Sequence, residues 1–204
     1  MYERIGLVGA TGLIGRTLIE TSSAGDVVRI VGIARREIDM PDGARMELFV
    51  AETEKWGEVL AAVKPKALIC ALGTTWRKAG KSQEAFRAVD QDLVLETARV
   101  AKAAGVPNMV LISAAGADPS SKNFYLQVKG ETEALASKVG FKRLDILQPG
   151  LLRGQRKGDF RFMERMALTF SPVIEPFLPA RYEAYTHDNE ALRRAAREWR
   201  IRGE

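Results

Sequence analysis

The chain has 204 residues, of which 46% are hydrophobic and 28% are charged. This composition is that of an ordinary globular protein, which excludes a disordered or fibrous chain, and the length predicts one domain over residues 1–204. The net charge of +5 is compatible with nucleic acid binding, but the basic residues are scattered. The densest basic group, at 193–202, is interleaved with glutamates on a helical pattern, so we expect a solvated helix face and no nucleic acid partner.

The cysteine and histidine content and the length of the apolar runs exclude further classes of protein. No stretch approaches the roughly 18 apolar residues that span a bilayer, and the N-terminus lacks the pattern of a signal peptide. The single cysteine, Cys70, cannot form an intramolecular disulfide, and the single histidine, His187, is a poor basis for a metal site. We therefore expect a cytoplasmic protein without a metal. Cys70 lies inside a predicted buried strand, which favours a packing role over that of a nucleophile.

Strand and helix patterns alternate along the chain. Strands are predicted over 4–9, 26–34, 46–50, 67–72, 109–113 and 143–148, and helices over 13–21, 56–63, 83–104 and 125–138. Gly105 and Gly140 are typical of helix ends. This alternation predicts a Rossmann-like, doubly wound parallel sheet with helices on both faces. The pattern loosens after Gly150, and residues 151–204 are expected to form a short extension that caps the substrate side.

A glycine-rich turn follows the first predicted strand. Gly9, Gly12 and Gly15 form a GxxGxxG pattern that opens the first helix. One glycine permits the tight turn, one lets the backbone approach a pyrophosphate, and one lets helix and strand pack closely. The helix N-terminus would then present N–H groups to the phosphates. The turn predicts a dinucleotide site.

The second predicted strand ends in two arginines, Arg35 and Arg36. An acidic residue roughly 20 positions after the turn normally binds the adenine ribose, but here Arg35 stands twenty positions after Gly15. A guanidinium offers a fork of donors to a phosphate. NADP is therefore favoured over NAD as the cofactor. The alternative for Arg36, a solvated surface side chain, stays open.

Three residues suggest carbonyl chemistry. Tyr125 and Lys129 are four apart, hence on one face of a helix, and Ser113 ends a predicted strand at the edge where the cofactor must lie. Hydride transfer to a carbonyl generates an alkoxide that needs a proton donor. A neighbouring ammonium lowers the pKa of a phenol by favouring the phenolate. Tyr125 is predicted as the acid/base, Lys129 as its activator and Ser113 as the residue that holds the substrate oxygen.

With these residues placed, the sequence resembles the atypical short-chain dehydrogenase/reductases, specifically the Tat-interacting oxidoreductase-like proteins. The resemblance covers residues 3–155. It is carried by the glycine turn 9–15, Leu-Gly-Thr-Thr at 72–75, Val-Asp at 89–90, Ser-Ala-Ala-Gly-Ala-Asp at 113–118, Tyr-Leu-Gln-Val-Lys-Gly-Glu at 125–131 and Gln-Pro-Gly-Leu-Leu at 148–152.

The resemblance implies a Rossmann fold, NADPH binding and a Ser-Tyr-Lys set at Ser113, Tyr125 and Lys129. It also implies that the cofactor is contacted by Thr11, Leu13, Ile14, Arg35, Leu72, Gly73, Lys129 and Pro149. One departure is that a helix-borne asparagine, which helps to relay protons in many such enzymes, has no counterpart here. Asp90 and Gln91 occupy that region.

These features predict an NADPH-dependent oxidoreductase that acts on a small carbonyl or alcohol. An alternative is an NADPH-binding sensor or scaffold with little or no turnover, because the extension is short and the relay residue is missing. An epimerase or dehydratase of sugar nucleotides ranks below both. The substrate and the oligomeric state stay open.

Overall fold

The computed structural model describes residues 3–22, 28–39 and 46–149. The capping role predicted for residues 151–204, and with it His187, lies outside the described residues. Six strands are described: β1 (Glu3–Val8), β2 (Val28–Ala34), β3 (Met46–Val50), β4 (Ala67–Cys70), β5 (Asn108–Ile112) and β6 (Arg143–Leu147).

All six strands pair in parallel in one sheet, in the order β3-β2-β1-β4-β5-β6. This is the order of a doubly wound dinucleotide-binding sheet, so the predicted fold class is confirmed. The chain reverses its direction of progress across the sheet between β1 and β4. Ligands of such sheets bind outside the carboxyl ends of the strands at this point, where the glycine turn and the segment after Cys70 meet.

The helices are α1 (Leu13–Ser22), α2 (Trp56–Val63), α3 (Gln83–Arg87), α4 (Val94–Ala103) and α5 (Phe124–Ala136). Short 3₁₀ turns at Thr53–Lys55 and Ser137–Val139 extend two of them. The predicted long helix over 83–104 forms, but Ala88–Leu93 between α3 and α4 is π-helical. Such a wide turn inside a helix is uncommon and is frequent at functional sites.

Two apolar layers sandwich the sheet. On one face, Leu18 and Ile19 of α1 pack on Ile5, Leu7 and further strand residues. On the other face, the apolar side chains of α2, α4 and α5 cover alternate strand residues, including Val8, Leu68 and Cys70. Every residue of β4 is buried, as expected of a central parallel strand covered on both faces.

The helix ends follow local rules. Gly105 and Gly140 adopt φ angles of +82° and +86° after α4 and α5, which confirms them as stop signals. Asn123 caps α5, since its side chain accepts hydrogen bonds from the backbone N–H groups of Tyr125 and Leu126. Within the described ranges, the structure contains no helix long and apolar enough to cross a membrane.

Candidate functional site

The glycine turn joins β1 to α1 under tight packing. Gly9 has a φ of +87°, and a Cβ there would lie 2.3 Å from the backbone oxygen of Ala71. A Cβ on Gly15 would lie 2.3 Å from the backbone oxygen of Gly9. Neither position can accept a larger residue without movement of the backbone, so the packing of the protein alone requires both glycines.

Gly12 differs from its two neighbours. A Cβ there would meet only the Gly9 oxygen at 3.3 Å and the Ala71 oxygen at 3.8 Å, and its φ lies outside the left-handed region. Protein packing therefore opposes a side chain here far less than at Gly9 or Gly15, since the Gly9 oxygen would have to move by only a few tenths of an ångström. A ligand that approaches the backbone closely does require a glycine, as a pyrophosphate at the N-terminus of α1 would. The turn thus fits the phosphates of a dinucleotide.

A cavity of about 260 Å³ lies beside this turn. It is lined by Ala10, Thr11, Arg16, Ile19, Arg36, Glu37, Ile38 and Asp39. Of the two arginines after β2, this lining includes Arg36 and not Arg35. Arg16, in the first turn of α1, is a second guanidinium that the sequence reasoning missed. Its signal was available, because the residue after the third glycine must lie near the turn.

The other predicted turn residues, Leu13 and Ile14, begin α1. Leu13 is 51% exposed, whereas Ile14 is partly buried against the apolar layer that contains Leu18. Their placement leaves Leu13 accessible to a ligand and gives Ile14 a packing role as well.

A buried ion pair lies beyond the position between β1 and β4 at which the chain reverses its direction across the sheet. Lys129 Nζ of α5 lies 2.7 Å from Asp90 Oδ1, and both side chains are buried. Asp90 Oδ2 accepts a hydrogen bond from the Thr74 backbone N–H at 2.7 Å. Gly73 covers the pair, since a Cβ there would lie 3.4 Å from Asp90 Oδ1 and 3.8 Å from Lys129 Nζ. The segment after β4 is thereby tied to α5 through one carboxylate.

A second polar group connects the π-helical segment to α5. Arg87 Nη1 lies 2.5 Å from Glu131 Oε2, and Gln91 Nε2 donates to the same oxygen at 3.2 Å. The hydrogen bond from Arg87 lowers the pKa of the Glu131 carboxyl group and raises that of the Arg87 guanidinium. The hydroxyl of buried Thr132 lies 2.7 Å from the backbone oxygen of Val128 and 3.1 Å from that of Asp90, and its single hydrogen is shared between these two acceptors. These contacts hold the helical face that carries Asp90 against α5.

Tyr125 stands one helical turn before Lys129 and is 40% exposed. Its ring makes an edge contact with Phe86, with centroids 5.7 Å apart. Phe86 also contacts Phe124 and Trp76, and Trp76 is 43% exposed. Trp76 follows the Leu-Gly-Thr-Thr run at 72–75. Its ring contacts Phe86 and Phe124, and Phe86 in turn packs on Tyr125.

Ser113 follows β5 and is buried, with its hydroxyl donated to the Glu133 carboxylate. The Gln148 side chain donates to both oxygens of that carboxylate at 3.0 Å. The structure thus places Ser113 against Glu133 of α5, two turns after Tyr125, and its role toward a substrate oxygen stays a prediction. Pro149, the predicted flank of the nicotinamide, accepts a hydrogen bond from the Ala115 backbone N–H at 3.0 Å.

Gly130 is a residue that the sequence reasoning missed. A Cβ there would lie 2.4 Å from the backbone of Asp118 and Pro119, and the Asp118 N–H donates to the Leu126 oxygen at 3.1 Å. A glycine in a helix interior is destabilising by about 1 kcal/mol relative to alanine. That penalty was the available signal that another segment packs closely on α5.

Cys70 is the last residue of β4 and not, as predicted, an interior one, because the strand ends two residues earlier than expected. Its thiol is fully buried, and burial raises its pKa to about 11. A thiol with so high a pKa is a poor nucleophile near neutrality, in agreement with the expected packing role. No cluster of metal-ligating side chains occurs among residues 3–22, 28–39 and 46–149.

The order of the parallel sheet and the glycine turn between β1 and α1 define a Rossmann-fold dinucleotide-binding protein. Residues 9–174 match the NAD(P)H-binding family. The chain belongs to this family, among the atypical short-chain dehydrogenase/reductases that the sequence resembles.

Curated relatives agree with this assignment. The chain is 33% identical to protein fmp52, mitochondrial, of Emericella nidulans over 94% of its length and 84% of the relative's. It is 37% identical to protein HTATIP2 of Rattus norvegicus over 74% of its length and 63% of the relative's. Several fungal relatives are named as mitochondrial. The expectation of a cytoplasmic location is therefore wrong.

Solved structures agree in fold. UDP-glucuronic acid 4-epimerase from Bacillus cereus, in complex with NAD, gives a TM-score of 0.60 at 15% identity, over 85% of this chain and 63% of that one. WbmH from Bordetella bronchiseptica, in complex with NAD⁺, gives 0.58 at 14% identity, over 72% and 57%. This chain thus spans less than two thirds of either enzyme. Identities this low show the shared fold alone.

Proposed function

We propose that this chain is an NADPH-dependent oxidoreductase that reduces a small carbonyl compound or oxidises the corresponding alcohol. The observation that carries the proposal is the placement of Tyr125 and Lys129 one turn apart on α5, with Lys129 directly under Gly73 at the end of β4. Tyr125 is exposed enough to meet a substrate. A small molecule is the proposed partner, and neither nucleic acid nor a membrane is required.

The proposed chemistry divides between the cofactor and the chain. A bound reduced nicotinamide supplies a hydride. Tyr125 Oη donates the proton that the substrate oxygen needs as it becomes an alkoxide. The Lys129 ammonium, one helical turn along α5, offers donors to ribose hydroxyls. The Phe86 ring packs edge-on against the Tyr125 ring and helps to hold its position.

The preference for NADPH over NADH is part of the proposal. Arg16 and Arg36 both line the cavity beside the glycine turn, and guanidinium groups suit a 2′-phosphate. Glu37 and Asp39 line the same cavity, and a carboxylate there is the usual partner of the ribose diol of NAD. NADH is therefore the competitor that the binding experiments must include.

The test is Tyr125→Phe, assayed with NADPH against a panel of aldehydes and ketones. Removing a positioned proton donor should lower kcat at least about 10²-fold, while the affinity for NADPH, measured by fluorescence titration, should change less than about twofold since the ring is kept. A variant as active as the wild type would sink the proposed mechanism.

One observation favours a second function, an NADPH-binding sensor with little turnover. The hydroxyl of Ser113 is committed to Glu133, and the ammonium of Lys129 is committed to Asp90. Two of the three predicted catalytic groups thus have protein partners. Tight NADPH binding by the wild type, without turnover of any member of the panel, would favour the sensor over the reductase.

A further inference from the structure

The carboxylate of Asp90 is the point at which two segments of the cofactor cleft meet. It contacts the ammonium of Lys129 through one oxygen and the backbone N–H of Thr74 through the other, each at 2.7 Å. Asp90 is 1% exposed. A charged group this deeply buried is strongly unfavourable unless it is paired and hydrogen-bonded, and both conditions are met here by groups of the predicted nicotinamide end.

We propose that Asp90 is a positioning residue of the cofactor site. It holds the Lys129 ammonium and the Leu72–Gly73–Thr74 segment in a fixed relation and so shapes the end of the cleft that receives the nicotinamide ribose. This inference rests on the proposed function for the identity of the ligand. Asp90 itself acts through Lys129 and Thr74 and has no need to touch the cofactor.

The two donors explain why the residue is a carboxylate. Asparagine has a single acceptor oxygen, so it could satisfy either Lys129 or Thr74 and would turn its own NH₂ donors toward the other. Asp90 lies in the π-helical turn with its side chain buried against Lys129 of α5. A rotation of the carboxylate toward a different partner would therefore break its contact with α5.

Gly73 explains how the ion pair reaches the cofactor. With no side chain, Gly73 leaves its backbone directly over Asp90 Oδ1 and Lys129 Nζ. A shift of the ammonium or of the Thr74 N–H therefore moves the wall of the cleft itself. The adenosine end, at Arg16 and Arg36, lies on the other side of the glycine turn and does not share these contacts.

The experiment is a double-mutant cycle of Asp90→Asn and Lys129→Met in the full chain, with NADPH affinity measured by fluorescence titration. Each single variant should weaken NADPH binding about tenfold, since each disrupts a charge-assisted contact. The double variant should also be weakened about tenfold and not about a hundredfold, because Asp90 acts through Lys129. A hundredfold loss in the double variant would overturn the proposal.

A second ligand separates positioning from a general structural role. Adenosine 2′,5′-bisphosphate carries the adenosine and the 2′-phosphate of NADPH but has no nicotinamide ribose. Asp90→Asn should leave its affinity within about twofold of the wild type, since less than 0.5 kcal/mol is then at stake. An equal loss of affinity for NADPH and for the bisphosphate would contradict the proposal.

Two control variants are matched to Asp90→Asn: one removes a carboxylate of the same charge, and the other removes a different contact with α5. Asp92→Asn removes an exposed carboxylate from the same π-helical segment, and it should bind NADPH like the wild type. Glu131→Gln breaks the other bridge between this segment and α5, and it should lower the melting temperature without a selective loss of NADPH. If Glu131→Gln reproduces the binding profile of Asp90→Asn, the role of Asp90 is only structural.

The outcomes remain separable from those of the proposed function. If a single variant does not fold, the double variant still decides, because it leaves neither a buried ammonium nor a buried carboxylate unpaired. A loss of NADPH affinity of about tenfold relative to the wild type supports the proposal, and a loss of about a hundredfold overturns it. A wild type that binds NADPH without turnover overturns the reductase but leaves this test intact. A wild type that binds neither NADPH nor the bisphosphate overturns both.

Discussion

The two ends of the proposed cofactor cleft are built in different ways. The end proposed to bind the adenosine consists of a backbone turn with three glycines and of two exposed arginines, Arg16 and Arg36. The end proposed to bind the nicotinamide contains two buried side chains, Asp90 and Lys129, that pair across segments far apart in the chain. One end thus depends on where backbone atoms can approach each other, and the other on how buried charges are matched.

This difference predicts which substitutions each end tolerates. At the adenosine end, added carbon atoms are the main danger, because the turn leaves no room for a Cβ at Gly9 or Gly15. At the nicotinamide end, the danger is an unpaired charge in a buried place, which is strongly destabilising when one partner is removed. The variants below separate stability from binding at each end.

The largest effect is expected at the glycine turn. Gly9→Ala should lower the free energy of unfolding by about 2–4 kcal/mol, because its Cβ would overlap the Ala71 backbone and its φ is positive. Gly12→Ala should lower it by less than about 1 kcal/mol yet weaken NADPH binding at least about tenfold. Denaturant unfolding and fluorescence titration measure the two quantities. Equal losses of stability in both variants would show that Gly12 serves packing and not a ligand.

An intermediate effect is expected from the arginines after β2. Arg36→Ala should weaken NADPH binding about tenfold and leave NADH binding unchanged, because the 2′-phosphate alone loses a guanidinium partner. Arg35→Ala is the matched control, since Arg35 does not line the cavity that the structure describes. The opposite ranking of the two variants would restore the prediction made from the sequence, in which Arg35 is the principal contact.

The smallest effect is expected from Glu131→Gln, which should destabilise the protein by about 1 kcal/mol or less at neutral pH, because the ion pair with Arg87 is partly exposed. Arg87 holds the pKa of Glu131 below its usual value of 4.5. The stabilisation is therefore present above pH 4.5 and is lost as the pH falls through the lower pKa of the folded state. Thermal unfolding of both proteins between pH 3 and pH 7 should show the gap closing toward acid. A gap independent of pH would rule out the ion pair as its cause.

The sheet was predictable because strands buried on both faces are read as apolar runs. β3 and α2 begin and end where the sequence predicts. β4 and β6 end two residues and one residue early, and β5 is displaced by one residue at both ends. The adenosine end was predictable for a related reason, since a glycine turn between a strand and a helix is a local feature. The choice of Arg36 over Arg35 in the cavity was not, because it depends on the direction in which each side chain leaves the strand.

The nicotinamide end was predictable only in its residue types. The spacing of Tyr125 and Lys129 gives a shared helix face, but it does not say which turn of α5 lies against the end of β5. That choice is made by packing, including the close contact at Gly130, and it brings Ser113 to Glu133. The pairing of Asp90 with Lys129 joins residues 39 positions apart, a distance at which no local pattern carries information.

The π-helical turn at Ala88–Leu93 has a consequence for which side chains of this helix face the protein interior. Residues that face the protein interior recur at 86, 90, 94 and 98, each four positions after the last. An ordinary α-helix repeats every 3.6 residues and would carry such a series gradually around its axis. The π-helical turn contains more residues than an α-helical turn and so compensates for that drift. Phe86, Asp90, Val94 and Ala98 are thereby kept on one face of the helix, where Asp90 meets Lys129 of α5.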